Sequence, residues 1–417
     1  MRRLILSVAV FVGLALSSGA AQRGTEPDIA KLRQDPAVTA ALEWIPRAEA
    51  RVIEDQVELT EIPAPAFKEG PRAEAVRRKF VEAGLKNVRV DKVGNVLGER
   101  PGMSPRPAVV IAAHLDTVFP EGTDVRVGRE GTILKAPGIA DDGRGLAVLL
   151  GVARALEHAR VQTPGTITFV ADVGEEGLSD LRGVKQLFGE TLKGQVDAFV
   201  SVDGTGHGIT NVAVGSHRYR VVFGGPGGHS FGAFGLVNPV HALGRAVARI
   251  AAFEVPAQPK VTFNVGRIGG GTSVNSIAYE AWFEIDIRSS DAAALASIDA
   301  SFHDAVDRAA REEQERWNNG RLTVTRDLVG NRPAGRTPQT APIVQIAMNV
   351  NKALALPAVL GEGSTDSNIP ISLGIPAVTV GGGGRSTGGH SLTETFDTTD
   401  SWKGTQRVLL LAVALAR

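Results

Sequence analysis

Three short apolar runs, each closed by polar residues, set the plan of the chain. Ala108-Val-Val-Ile-Ala-Ala113 ends in His114-Leu-Asp116, and Thr166-Ile-Thr-Phe-Val-Ala171 ends in Asp172-Val-Gly-Glu175-Glu176. Ala198-Phe-Val-Ser-Val202 ends in Asp203. Uninterrupted β-branched runs without alternation read as parallel strands buried on both faces. Ligands bind beyond the carboxyl ends of such strands, so these polar clusters converge on one edge of one sheet. Between the first two runs lies Pro137-Gly-Ile-Ala-Asp141-Asp142-Gly-Arg-Gly145, a loop leading into a helix from Gly145 to His158.

Elsewhere the spacing is helical. Residues 27–60 carry Ile29, Leu32 and Val38 at helical intervals, and Pro63-Ala-Pro65 ends the pattern. A second amphipathic helix runs from Pro71 to Gly84, and Val88 to Gly98 reads as a small hairpin. From about Ser216 the order changes. A strand (219–223), a helix (238–253), two strands (261–265 and 278–288), a helix (291–315) and a strand (322–325) follow one another. That βαββαβ order is the split βαβ sandwich. It interrupts the first unit, because helix and apolar strand (Pro376-Ala-Val-Thr-Val380) return from Pro342 onward. The expected division is a signal segment at 1–21, a catalytic unit at 22–214 and 330–417, and an insertion at 215–329.

Composition narrows the chemistry. Forty-five Lys and Arg balance forty-five Asp and Glu, so nothing suggests a nucleic-acid or anionic-membrane surface. The chain has no cysteine, which excludes disulfides and thiolate ligands and leaves carboxylates and imidazoles for any metal. Met1-Arg2-Arg3, the apolar stretch Leu4 to Leu16 and the small residues Ser17 to Ala21 have the form of a secretory signal. A periplasmic or secreted protein, free of the membrane after cleavage, is expected.

The candidate residues are weak singly and strong together. His114-Leu-Asp116 places two side chains on one side of an extended segment, with Asp116 suited to orient the imidazole; alone, such a pair is more often a surface pair. Glu175-Glu176 is ordinarily a solvated face, but after a buried strand charge is costly without a partner. One acid then ligates metal while the other serves as general base. Asp203 is a terminal ligand or an Asp-Gly turn. Gly381 to Gly384 lacks the Lys-Ser/Thr ending of a phosphate loop and reads as a turn returning His390 to the site. His114, Asp141, Glu176, Asp203 and His390 form a nitrogen–oxygen set suited to two zinc-like ions about 3.5–4 Å apart, with Asp141 as the bridge.

The ordered motifs His-Leu-Asp-Thr-Val, Gly-Ile-Ala-Asp-Asp, Gly-Glu-Glu-Gly, Val-Asp-Gly, Gly-Gly-His-Ser and Gly-His-Ser-Leu-Thr-Glu resemble the dinuclear-zinc exopeptidase and deacylase family. That family includes tripeptide aminopeptidase, glutamate carboxypeptidase and acetylornithine deacetylase. The resemblance implies an α/β fold, a zinc-exopeptidase-like mixed sheet flanked by helices, with an inserted α+β ferredoxin-like lid and dimerisation domain. It implies two Zn2+, with Co2+ or Mn2+ able to share the ligands. Asp141 would bridge, with a cis bond to Asp142; His114 and Asp203 would complete one site, Glu176 and His390 the other. Glu175 would be the general base acting on a metal-bridging water, and Asp116 the acid that orients His114. His229 matches a histidine that polarises the substrate carbonyl across a homodimer; a satisfied loop histidine is its other reading. Asn275 and Arg288 match lid residues that hold the substrate, although Arg288 beside Asp286 also suits a structural ion pair. Arg144 departs from the family pattern, which places a cation one position earlier.

The implied activity is hydrolysis of amide bonds in small peptides, as a di- or tripeptidase. The alternatives are an N-acyl amino acid deacylase on the same site, or a catalytically silent peptide-binding protein. The intact ligand set and Glu175 speak against the last.

Overall fold

The computed structural model describes residues 28–417, so the expected signal segment lies outside the described residues. Asp28 caps the helix Ile29–Arg33, and Asp35 with Pro36 restarts the chain as Pro36–Thr60. The stretch expected as one helix is therefore two. Asp accepting first-turn N–H groups and Pro in the first turn are both helix-start signals, and here they outweigh the continuous apolar spacing.

The central sheet is mixed. Its strands lie in the order Lys86–Val90, Val96–Arg100, Thr166–Asp172, Ala108–His114, Ala198–Val202, Ala377–Val380, Ile209–Ala213 and Gly335–Arg336, and Leu360–Gly363 also pairs with Ile209–Ala213. Its four middle strands run parallel, and antiparallel pairs close both ends. Alternate side chains of one strand enter different cores. Val109, Ile111 and Ala113 pack with the helices Pro36–Thr60, Gly143–His158 and Trp402–Leu415. Val110 and Ala112 pack on the other face with Leu181, Val184, Leu187 and Phe188. That two-sided burial is why these runs show no polar alternation.

The insertion forms a separate antiparallel sheet in the order Val261–Gly270, Glu280–Ser289, Gly215–Gly224, Thr323–Arg332. Helices Pro239–Ala251 and Ala292–Trp317 pack on it around Phe223, Phe283 and Phe302. The expected βαββαβ order holds, but the last strand is longer than its apolar residues suggest. It passes a bulge between Leu328 and Gly330 and continues through Asn331 to Arg332. Polar residues on the strand's partly exposed stretch hid this half from a hydrophobic reading.

A small sheet not expected from the sequence joins Gly128–Glu130, Ile133–Lys135, Thr395–Asp397 and Arg385–Thr387. It ties the strand before the Asp141 loop to the segment around His390. Among the described residues, no helix is long and apolar enough to cross a membrane.

Phe199, fully buried against Phe188 with ring centroids 5.4 Å apart, tests the two-sided burial. Phe199→Ala is expected to cost about 3–5 kcal/mol, read as a lowered thermal midpoint; an unchanged midpoint would contradict the packing described.

Candidate metal centre

Each polar cluster sits where a strand or loop ends at the same edge. His114 closes Ala108–His114 and lies opposite Asp172 in the neighbouring strand. Beyond Asp172, the turn at Val173-Gly174 leads into Glu175 and Glu176. Gly174 has φ 72°, and a Cβ there would lie 2.6 Å from the Arg182 side chain, so only glycine fits the turn. Asp203 follows Ala198–Val202. Asp141 precedes Gly143–His158, whose N-cap is Asp142, and the Asp141–Asp142 peptide is cis as expected.

Asp141 is the centre. Its Oδ1 lies 2.9 Å from His114 Nε2 and its Oδ2 lies 3.0 Å from His390 Nε2. His390 Nε2 is also 3.2 Å from Glu176 Oε1. Three overlapping groups have donor atoms within 4.8 Å of one another: His114–Glu175–Glu176, His114–Asp141–Asp203 and Asp141–Glu176–His390. All five expected ligands and Glu175 are thus gathered in one place.

Buried groups hold this arrangement from behind. His114 Nδ1 lies 3.0 Å from the Asp116 main-chain oxygen and 3.6 Å from its carboxylate, so the carbonyl is the hydrogen-bond partner. The Asp116 carboxylate instead accepts the N–H groups of Glu175 and Glu176, each at 2.9 Å. The acid thus orients the two glutamates, and it is the main-chain oxygen of Asp116, rather than the expected carboxylate, that meets the histidine. Glu394, at the end of the last motif, accepts from Gly138, Ala140 and Asp141 N–H at 3.0, 2.8 and 3.1 Å and so shapes the Asp141 loop.

Two buried arginines complete the support. Arg72 donates to the carbonyls of Leu115, Ile62 and Thr60. Arg144 explains the departure in its motif. Fully buried, it donates to Gly382 O at 2.8 Å and Ser401 O at 2.6 Å and pairs with Glu49 at 3.1 Å. It holds the glycine turn ahead of His390. Sequence reasoning missed Arg72, Glu394 and Arg332; the last donates to Glu175 Oε1 at 2.9 Å.

Electrostatically the cluster is crowded with acids. Burial pushes Asp203 up to about 7, with Asp141 adding to it. Burial also holds Asp142 and Glu175 well above the usual carboxylate range, against the lowering pull of His114 on Asp142 and of Arg332 on Glu175. Behind them Asp172 is raised to about 8 by burial, and Asp366 is raised well above its usual range by burial and by Asp172. The histidines carry the compensating charge. Burial works against the His114 imidazolium, but Asp116 and Asp141 outweigh it; hydrogen bonds to Asp141 and Glu176 raise His390 to about 10. A buried set of carboxylates and imidazoles with one carboxylate shared between two nitrogens fits divalent ions, which would take over the role of those protons.

The remaining expected residues lie outside this cluster. His229 lies on a two-stranded ribbon, Gly228–His229 with Ser276–Ile277, and Asn275 directly precedes the second strand, its carbonyl accepting from Ser230 N–H at 2.9 Å; both residues are exposed. His229 Nδ1 accepts from the N–H groups of Phe231 and Gly232 at 3.2 and 3.3 Å. Nε2 of the neutral ring therefore carries the proton. Arg288 Nε pairs with Asp286 at 2.6 Å, and Asp286 also accepts from Arg218 at 3.0 Å; the Arg288 side chain stays 39% exposed.

Residues 110–414 match the sequence profile described as Peptidase family M20/M25/M40, and the chain belongs to that family of metal-dependent hydrolases. It is similar to a Bacillus subtilis (strain 168) protein named uncharacterized protein YqjE, 25% identical over 349 residues, covering 79% of this chain and 89% of that one. It is 27% identical over 235 residues to succinyl-diaminopimelate desuccinylase of Bordetella bronchiseptica, which spans 51% of this chain and 61% of that one. Among solved structures, a tripeptidase from Staphylococcus aureus subsp. aureus mu50 superposes with TM-score 0.74 at 24% identity, over 88% of this chain and 99% of that one. The expected fold class is borne out.

The protonation pattern sets the sign of a pH effect. His390 and Asp203 hold protons near neutrality in the metal-free protein, and ligands must lose protons to bind metal. Zinc binding is expected to release protons and to tighten as pH rises from about 6 to 8. Titration calorimetry in two buffers of different ionisation enthalpy checks this; heats independent of buffer would contradict it.

Proposed function

We propose that the protein is an exported two-metal hydrolase cleaving amide bonds of small peptides, with Glu175 as the general base. The observation that carries the reading is Asp141, whose two carboxylate oxygens are divided between His114 and His390, while Glu175 lies within 4.8 Å of His114 and Glu176. Asp141 would bridge two ions, His114 and Asp203 completing one set and Glu176 and His390 the other. Zinc suits these donors, as do cobalt and manganese. When bound, the ions supply Lewis acidity that polarises an amide carbonyl and stabilises the charge developing on its oxygen.

The chain's own groups do the rest. Glu175 Oε1 is occupied by Arg332, which leaves Oε2 to take a proton from the attacking water and return it to the departing nitrogen. Asp116 fixes the main chain of both glutamates, so the base and its neighbouring ligand stay in register. His229, a donor at Nε2 on an exposed ribbon, suits contact with a substrate carbonyl across a homodimer. Asn275 beside it suits contact with the substrate backbone.

The similarity to a desuccinylase favours a second reading on the same site, an N-acyl amino acid deacylase. Export rests on the basic, apolar and small-residue order of residues 1–21; N-terminal mass analysis of protein from a native-like host should find cleavage near Ala21.

Turnover of a panel of di- and tripeptides with free or blocked ends and N-acetyl amino acids separates the readings. Cleavage of peptides supports the first and cleavage of acyl amino acids alone the second. Glu175→Gln is expected to keep its metal and lose about 10²–10⁴ in kcat; near-wild-type turnover would contradict the assignment of the base.

A further inference from the structure

The inserted sheet is joined to the central one through two adjacent connections. One links Ile209–Ala213 to Gly215–Gly224, and the other links Thr323–Arg332 to Gly335–Arg336. They run in contact, since a Cβ on Gly215 would lie 2.5 Å from Ala334 N. Buried Asn368 fastens them together, its Nδ2 donating to Val214 O at 2.9 Å and to Pro333 O at 3.0 Å.

Arg332 stands at the start of the second connection, 3% exposed. Its Nη1 donates to Glu175 Oε1 at 2.9 Å and to Ser364 Oγ at 3.1 Å, and its Nη2 donates to the main-chain carbonyl of Glu175. Neighbouring groups grip the residues that follow Glu175. Asn331 N donates to Asp180 Oδ1 at 2.8 Å, Lys185 Nζ donates to Asn331 O at 2.9 Å, and Arg218 donates to Gly177 O. The gripped segment needs support. Asp180 and Leu181 are successive non-glycine residues at φ 56° and 57°, in a region such side chains rarely adopt. The base-bearing segment is thus held from the inserted unit.

We infer that Arg332 is a positioning residue for hydrolysis, fixing the Glu175 carboxylate and tying its orientation to the connection that carries the inserted unit. The inference rests on the reading of Glu175 as general base. A substrate contact is the competing role. Against it, the guanidinium is buried, two of its nitrogens are committed to Glu175, and its Nε is buried without a partner. Without the arginine, a buried carboxylate would be left unpaired and free to turn toward neighbouring donors.

The test is a double-mutant cycle on the full-length, zinc-loaded protein, using the panel member that the wild type cleaves fastest. Arg332→Leu is expected to lower kcat by about 30-fold or more, with KM within about threefold and metal content unchanged. Arg332→Lys, which keeps the charge, should recover to within about tenfold of wild type, and millimolar guanidinium should raise the Leu variant's rate. In the Glu175→Gln background, adding Arg332→Leu should cost less than about twofold more, because both changes remove one interaction. Independent, multiplying losses would overturn the inference, as would a rise in KM with kcat retained. If Arg332→Leu does not fold, the cycle with Arg332→Lys decides by the same criterion. Near-wild-type turnover by Glu175→Gln alone would instead remove the general-base reading, and the positioning role with it.

Discussion

The structure depends on how Asp141 shares its two oxygens. His114 and His390 each take one, at 2.9 and 3.0 Å, and they come from segments 276 residues apart in the chain (390 − 114). Keeping those segments together draws in much of the molecule. Glu394 fastens the Asp141 loop to the last motif, Arg144 fastens the following helix to the glycine turn, and the small four-stranded sheet clamps the same two regions. The fold concentrates acids where burial resists their charge, and the imidazoles relieve only part of that. Such a site is arranged to receive positive charge rather than to be stable without it.

The acids around it divide by what their oxygens touch. Asp116 spends both on the backbone of Glu175 and Glu176, and Glu394 spends both on the loop of Asp141. Asp141 and Glu176 turn theirs toward histidine nitrogens. Glu175 gives one oxygen to Arg332 and keeps the other. Residues of one charge and one neighbourhood thus hold three different duties, set by whether the donor opposite is a backbone amide, an imidazole or a guanidinium.

The sequence made the candidate ligand set legible because strand ends are legible. Buried parallel strands are continuous apolar runs, so the first polar residues after them fall at the sheet edge. This placed His114, Glu175, Glu176 and Asp203, and motif order added Asp141 and His390. What escaped were residues whose partners are main-chain carbonyls or lie far along the chain. Arg72 looks like a surface arginine in helical sequence, and Arg144 shows only as a displaced cation, yet both are fully buried on carbonyls. Arg332 sits beyond a bulge, in polar sequence with no apolar pattern to extend the strand. Arg288 is a cation at a suggestive position whose Nε pairs with the neighbouring Asp286.

The central claim is that Asp141 bridges two ions. Anomalous diffraction from crystals of the zinc-loaded protein tests it most directly. The account predicts two peaks, one on each side of Asp141, the first within ligand distance of His114 and Asp203 and the second near Glu176 and His390, at about 2.0–2.3 Å from their donor atoms. A single peak, or peaks that leave Asp141 without a metal contact, would contradict it.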